Sequence, residues 1–462
     1  MNPQEVEIRR RVLASLKRHG WNSTSFQILE PGFRYWVDGE DTCVGYVDTG
    51  SAWVVAGAPI APPERLAEVV TRFVAAAKAQ RRRVCCFGTE ARFQDTVGWS
   101  ALRIGDQPVW GARDWASVVR ESKSLREQLR RSRAKGVVVR ALEVTELAPG
   151  HPVRARLDAL IARWLATKQI APMGFLVQLD PFSFPEEKRY FIAERGDAIV
   201  GFLAVIPVYA RGGWFFEDLL RDPSAPNGTV ELLVDAGMRA AAAENVEQVT
   251  LGLAPLAGEV SPWLRFARRW GKPLYDFEGL HTFKAKLKPR AWDPIYLSYP
   301  REASGILAVV DTLTAFARGG LLRFGIKTLL RGPSIVVRAL AALLVAWTVL
   351  LALPTSASWF PSPIWQWGWV GFDIVLGGAL FALARRWRHG LATAVAIAVT
   401  ADAVATAAEA LIYNAPRARG LVDWLVMTIA VAAPTSAAVM LWHARAHRQV
   451  LVTAGPAPPA RA

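Results

Sequence analysis

The 462-residue chain carries a formal net charge of +15, with 52% hydrophobic and 21% charged residues and three cysteines. Its length exceeds the roughly 100–200 residues of one domain, which excludes a single core and points to at least three structural units. Cys43, Cys85 and Cys86 have neither metal-ligand spacing nor an even-numbered framework, so a disulfide scaffold is excluded and a reducing compartment fits.

The start of the chain is charged and lacks an apolar core of signal length, so the N-terminal region is expected to stay in the cytosol. Residues 5–19 read as a short basic helix. Strand-like runs follow at 33–47 and 52–58, with turn signals at Asp38-Gly39 and Thr49-Gly50. A helix is predicted over 63–79 from the spacing of Leu66, Val69, Val70, Phe73 and Ala76, and residues 84–87 read as a buried strand. Together, residues 1–115 form a first α/β unit. Residues 116–150 form a basic helical linker carrying Arg120, Lys123, Arg126, Arg130, Arg131, Arg133 and Lys135. This basic face suits nucleic acid, the inner leaflet or simple solvation.

A second unit, 151–300, repeats the style. Helices are predicted over 151–168 and 229–243, with strands at 190–193, 198–207, 213–220 and 248–253. Residues 199–206 are nearly all apolar, as in a central strand covered on both faces. The strand ending Glu217-Asp218-Leu219-Leu220-Arg221 runs into a loop with Pro223 and Pro226, and Asn227 is the expected cap of the next helix. Strand, loop and helix N-terminus make a phosphate-holding geometry to which Arg221 adds a cation. The competing reading of Asp218 and Arg221 is a structural ion pair. Neither nucleotide-binding glycine motif is complete, and the six histidines form no cluster, so no cofactor, no metal and no nucleophile triad is expected.

Beyond Arg338 charge becomes sparse. Apolar stretches at 334–353, 367–384, 391–413 and 421–443 each approach the ~20 residues that cross a bilayer. Arg323, Lys327 and Arg331 precede the first; Arg385, Arg386 and Arg388 follow the second; Arg445 and Arg448 follow the fourth. The uncharged connection 354–366 between the first two has Trp359 and Trp365. This pattern predicts a multi-pass inner-membrane protein with both termini cytoplasmic, although Arg417 and Arg419 run against it. Asp402, Thr406 and Glu409 share one helix face and should point into the bundle, either as a polar pocket or as a network with Asp373. Residues 301–332 read as an interfacial amphipathic segment, and 446–462 as a disordered tail.

Taken in order, residues 46–59, Lys123-Ser124-Leu125-Arg126, Trp164-Leu165 with Lys168, Gly174-Phe175, Asp218-Leu219-Leu220-Arg221, Glu231-Leu232-Leu233, residues 251–256, and Phe283-Lys284 with Lys286 resemble the C-terminal catalytic domain family of bacterial phosphatidylglycerol lysyltransferases. The resemblance spans about residues 33–297. It implies an α/β fold of tandem GNAT-like acyltransferase modules, here followed by a four-helix transmembrane bundle. It also implies transfer of an aminoacyl group from aminoacyl-tRNA to an anionic membrane lipid. On that reading Asp218 orients an amine or hydroxyl, Arg221, Lys284 and Lys286 hold phosphate, Glu231 faces the same pocket, and Gly252 belongs to the substrate-binding set. Arg126 and Arg130 of the basic helix would meet the tRNA acceptor stem. Two departures stand out: Glu217 occupies a position usually small, with Leu220 in place of Met, and the membrane helices follow the catalytic region instead of preceding it. An acyl-CoA-dependent acyltransferase is the alternative enzyme, disfavoured by the missing pyrophosphate loop. A non-catalytic lipid or nucleotide sensor coupled to the bundle through Asp402 and Glu409 is the alternative outside enzymology.

Overall fold

The run Ala198–Val208 is apolar at almost every position, and it becomes a strand buried along nearly its whole length. A strand of this composition needs cover on both faces, and the rest of the first unit supplies it. The computed structural model describes residues 3–167, 173–261, 264, 277–317, 320–321, 323–325, 333–418 and 420–453. The chain divides into two units, one running to Arg323 and the other from Phe324.

In the first unit, α1 (Pro3–His19) leads into strands β1 (Arg34–Val37), β2 (Cys43–Asp48) and β3 (Ala52–Ala56). Helix α2 (Leu66–Ala79) crosses to β4 (Arg83–Thr89), and α3 (Ala91–Val97) leads to β5 (Ser100–Trp110). Helices α4 (Trp115–Glu121) and α5 (Lys123–Ala134) precede β6 (Val137–Ala141) and α6 (Pro152–Ala166). Then come β7 (Arg189–Arg195), β8 (Ala198–Val208), β9 (Gly213–Arg221), α7 (Thr229–Ala243), β10 (Gln248–Thr250) and β11 (Ala254–Pro255). Helix α8 (Phe277–Lys286), β12 (Ala291–Tyr299) and α9 (Gly305–Phe316) complete it.

The described strands form one mixed, GNAT-like sheet in the order β1-β2-β3-β4-β12-β5-β10-β9-β8-β7-β6, with β11 beside β5. The chain takes the same course twice. Antiparallel strands end in a helical crossover to a parallel neighbour: β3-α2-β4 in the first half, β9-α7-β10 in the second. The strand after each crossover then joins the other half. β5 pairs with β10, β12 pairs with β4, and β5 and β12 pair with each other over nine positions. The boundary expected near residues 115–150 is therefore a boundary in sequence, while the sheet runs through it.

Alternation along β8 and β9 defines two faces. Leu203, Val205 and Phe216 pack with α4, α5 and α7, whereas Phe202, Ala204 and Leu220 pack with α6. The α6 face continues under α1, the turn Phe26–Leu29 and α9 through Ile206, Phe215, Ile295 and Leu297. Helix α2 covers the opposite face.

In the first unit α1, α6 and α7 fall within two residues of their expected ends, and α2 starts three residues late. The basic linker helix breaks in two at Ser122, whose side chain caps α5 by accepting from the Leu125 amide at 3.3 Å. The expected cap Asn227 is displaced by Gly228, which takes the cap position with φ +93. A Cβ on Gly228 would lie 2.3 Å from the Gln128 carbonyl oxygen, so only glycine lets α7 start against α5.

In the second unit, α10 (Pro333–Ala352), α11 (Pro363–Arg385), α12 (His389–Glu409) and α13 (Leu421–Thr453) follow one another. Three spans among the described residues are long and apolar enough to cross a membrane: Pro363–Arg385, His389–Arg417 and Asp423–Arg445. The first expected span coincides with α10, but its apolar run Leu340–Ala352 is shorter than the other three. Leu376, Leu380, Val395, Val399 and Leu441 pack inward, while Ile374, Val375, Ile397 and Val404 point outward. That inside-out surface suits hydrocarbon. Part of the expected interfacial segment and the tail beyond Thr453 lie outside the described residues.

Gly228→Val should destabilise the protein by about 1–3 kcal/mol through the left-handed backbone alone. The measurement is the denaturant midpoint followed by tryptophan fluorescence. Asn227→Ala, at an exposed non-cap position, should leave that midpoint nearly unchanged.

Candidate functional site

In a regular strand two adjacent acids would point to opposite faces of the sheet. Across β8 and β9, Ala204 faces Asp218 and Val205 faces Phe216, which leaves Glu217 as the extra residue of a β-bulge. Such bulges re-aim side chains. The pairing of β9 with β10 stops at Phe215 and Thr250, so the two strands part just before the bulge.

Asp218 lies on the α6 face opposite Ala204, half-buried, and Glu217 meets two residues from distant parts of the chain. The Lys188 ammonium, fully enclosed, sits 3.7 Å from Glu217 Oε2 and 3.3 Å from the Asp180 carbonyl oxygen that accepts from it. Glu30, held after the turn Phe26–Leu29, is buried near the Glu217 carboxyl. Neither Glu217 oxygen nor Glu30 Oε2 has a hydrogen-bond donor in the structure. Three carboxyls thus share one buried cation. Burial, then Glu217, pushes the Asp218 carboxyl well above the usual carboxylate range; burial and Glu217 do the same to Glu30. Glu30 and Lys188 carry no local sequence signal. The Glu217-Asp218 pair does, since two acids inside an otherwise apolar strand stand out in the sequence.

The other predicted residues are dispersed. Arg221 pairs with Gly201 on the α7 face, where its guanidinium donates to the Ala225 carbonyl at 3.1 Å and braces the proline-rich loop. Asp218 and Arg221 point to opposite faces and form no ion pair. Glu231, half-buried in the first turn of α7, shares the face of Arg221. The Lys284 ammonium is buried and donates to the carbonyls of Leu251, Gly252 and Leu253 at 2.8–2.9 Å, so its charge serves the chain's own backbone. Burial brings it down to about 7. Gly252, at φ +66, would drive a Cβ to 2.6 Å from the Phe215 ring, which makes it the hinge where β10 leaves β9. Lys286 is exposed at the end of α8. Arg126 and Arg130 are exposed on α5; Arg130 and Arg131 clamp Glu127 and hold its carboxyl down at about 2.

The second unit holds a separate cavity of about 680 Å³ lined by Asp373, Asp402, Thr406 and Glu409. Thr348 donates to Asp373 at 3.4 Å, Thr406 to Asp402 at 3.0 Å and the Trp369 indole to Glu409 at 3.2 Å.

Comparison with known sequences gives the family. The sequence profile described as phosphatidylglycerol lysyltransferase, C-terminal, matches residues 13–299. The chain belongs to this family. The match begins in α1 and ends with β12, so it spans the whole sheet and stops before α9 and the second unit. Lysylphosphatidylglycerol biosynthesis bifunctional protein LysX of Nocardia farcinica is 28% identical over 249 residues, half of this chain and 21% of that protein. The LysX protein of Gordonia bronchialis is 24% identical over 299 residues, 59% of this chain and 25% of that protein. The chain thus spans about a fifth to a quarter of the length of these relatives. Among solved structures, L-PGS from Bacillus licheniformis superposes with a TM-score of 0.58 at 19% identity, covering 66% of this chain and 96% of that one. A domain from Agrobacterium fabrum, assigned to the C-terminus of a lysylphosphatidylglycerol synthetase, gives 0.59 at 20% identity over 69% of this chain and all of its own length. These likenesses establish the fold.

Two predictions test the lysyltransferase-family site as built. A carboxyl whose folded pKa is raised stabilises the fold while protonated, and that contribution is lost as pH rises from its ordinary value through the raised one. Glu30→Gln should therefore unfold at a higher temperature than the parent at about pH 8, with the gap closing near about pH 4. Lys284→Met leaves three buried carbonyls without their donor and should cost about 1–3 kcal/mol in denaturant titrations.

Proposed function

We propose that this chain is a membrane-anchored aminoacyltransferase that moves an aminoacyl group from aminoacyl-tRNA to the headgroup hydroxyl of phosphatidylglycerol. The observation that carries the reading is the acidic cluster at the β9 bulge, at the Asp218-Leu219-Leu220-Arg221 motif of a chain whose family is named for lysyl transfer to this lipid. The twice-taken course of the chain supports two GNAT-like modules in tandem. Four spans in an inner membrane with cytoplasmic termini remain the topology best suited to the basic flanks.

The chemistry asks little of a covalent nucleophile. The lipid hydroxyl oxygen bonds to the ester carbonyl carbon, the bond to the tRNA ribose oxygen breaks, and the proton lost by the acceptor ends on the leaving ribose hydroxyl. The donor is already activated, so alignment and stabilisation of the developing oxyanion dominate. Asp218, with a carboxyl that titrates above its ordinary range and a half-open position, suits holding the α-amine or relaying the hydroxyl proton. Glu217 and Glu30 add two more carboxyls beside it around the Lys188 ammonium, a surplus of acids that suits a cationic aminoacyl group. The exposed basic face of α5, including Arg126 and Arg130, suits the acceptor stem, with strong salt dependence as the signature.

Purified full-length protein in vesicles of phosphatidylglycerol and phosphatidylethanolamine, given radiolabelled lysyl-tRNA, should move label into the lipid phase, and ribonuclease should abolish the transfer. Asp218→Asn should lower the turnover number about 100-fold or more. The combination Arg126→Glu with Arg130→Glu should raise the KM for the tRNA and flatten its salt dependence while leaving turnover at saturation intact. Full transfer by the Asp218 variant would remove the site assignment, and transfer from acyl-CoA in place of aminoacyl-tRNA would remove the donor.

A further inference from the structure

Helix α9 lies just past the region shared with the family and has two contrasting faces. Its inner face is fixed to the sheet. Ala308 and Ala315 pack in the core of the α6 face. Asp311, buried, accepts from Arg83 at 2.7 and 2.8 Å and from Ser51 at 2.8 Å. These bonds set the rotation of the helix. Its outer face carries Ile306, 74% exposed, with Leu307, Val310 and Leu313 exposed beside it. Ile306, Val310 and Leu313 follow the spacing of one helical stripe. A rigidly held apolar stripe of this kind marks a surface that something covers.

Three observations identify the cover. First, only residues 317–332 separate α9 from the start of α10, where the apolar helices begin, so the stripe is tethered within roughly 50–60 Å of them even with that stretch fully extended. Second, α1 packs on the same face of the sheet and presents Arg10 and Arg11 to solvent, while its Lys17 and Arg18 are paired with Glu187 and Asp41. An apolar stripe on the same face as cations matches a bilayer surface with anionic headgroups, whereas two copies of the chain meeting through this face would oppose their own cations. Third, a hollow of about 440 Å³ opens beside the C-terminal end of α9, lined by Phe33, Phe175, Thr314 and Ala315.

We propose that α9 is the bilayer-docking element of the soluble unit: its Ile306–Val310–Leu313 stripe lies at the boundary of headgroups and acyl chains, and turns the α6 face of the sheet toward the lipid. Asp218 lies on that same face. The inference stands on packing and charge, and holds whether or not the transfer chemistry proposed above is correct.

The native cysteines Cys43, Cys85 and Cys86 are all buried, so a cysteine placed at an exposed position can be labelled selectively. Full-length Val310→Cys and Leu313→Cys variants would carry an environment-sensitive fluorophore. They would be reconstituted into phosphatidylglycerol and phosphatidylethanolamine vesicles whose acyl chains are brominated. Both labels should be quenched several-fold relative to unbrominated vesicles, while the same label at Thr71→Cys, exposed on α2 across the sheet, should be unaffected. Adding Ile306→Glu should leave the unfolding midpoint unchanged and relieve the quenching at Val310. Quenching at Val310 no greater than at Thr71 would overturn the proposal, as would efficient cross-linking of Val310→Cys between two copies, which would give the stripe to a second molecule.

Discussion

The exchange of β5 and β12 between the two halves is the constraint on which the first unit depends. Each half ends its parallel crossover with a strand edge that its own next strand does not cover; the partner half covers it instead, and the two exchanged strands pair with each other. Backbone groups at the middle of the sheet are therefore satisfied only when both halves are folded. The exchange also explains the site. Because β10 takes β5 on one side and leaves β9 after Thr250 on the other, a gap opens along the second half of β9, and the bulge at Glu217 falls in it. Lys284 secures the departing strand by capping the three carbonyls that β10 abandons.

Helices and the most apolar strand were legible in the sequence because their signals are local. The periodicity of α2, the span of α7 and the buried run of β8 each depend on neighbours within a few residues. β5 and β12 were not legible, because each carries charges and a proline that argue against a central strand. The structure shows why those prolines are tolerated. Pro108 lies where neither β10 nor β11 pairs with β5, and Pro294 lies where β4 has not yet reached β12, so the missing amide is not needed by the ladder. Pairings separated by almost two hundred residues leave no trace in a local window.

The site was half legible for the same reason. Asp218 was singled out from its strand end, but Arg221 and Glu231 were grouped with it although an offset of three along a strand reverses the face. Lys284 was given a phosphate-holding role only by the resemblance; in the structure it is buried on three backbone carbonyls. Glu30 and Lys188 enter from distant loops, and only the fold brings them to Glu217.

Three carboxyls around one enclosed lysine make the pocket electrostatically incomplete, and the two halves of that imbalance have different consequences. Without a ligand, burial first and the neighbouring acids after it hold protons on Glu30 and Asp218 beyond the ordinary range. A cationic amine arriving in the pocket would relieve the imbalance directly, displacing a proton as it binds. Binding of such a group would therefore be coupled to proton release, while binding of a neutral aminoacyl group would not. The Glu217 side chain makes the distinction, because it brings the third carboxyl and stands in the bulge that puts Asp218 on the α6 face.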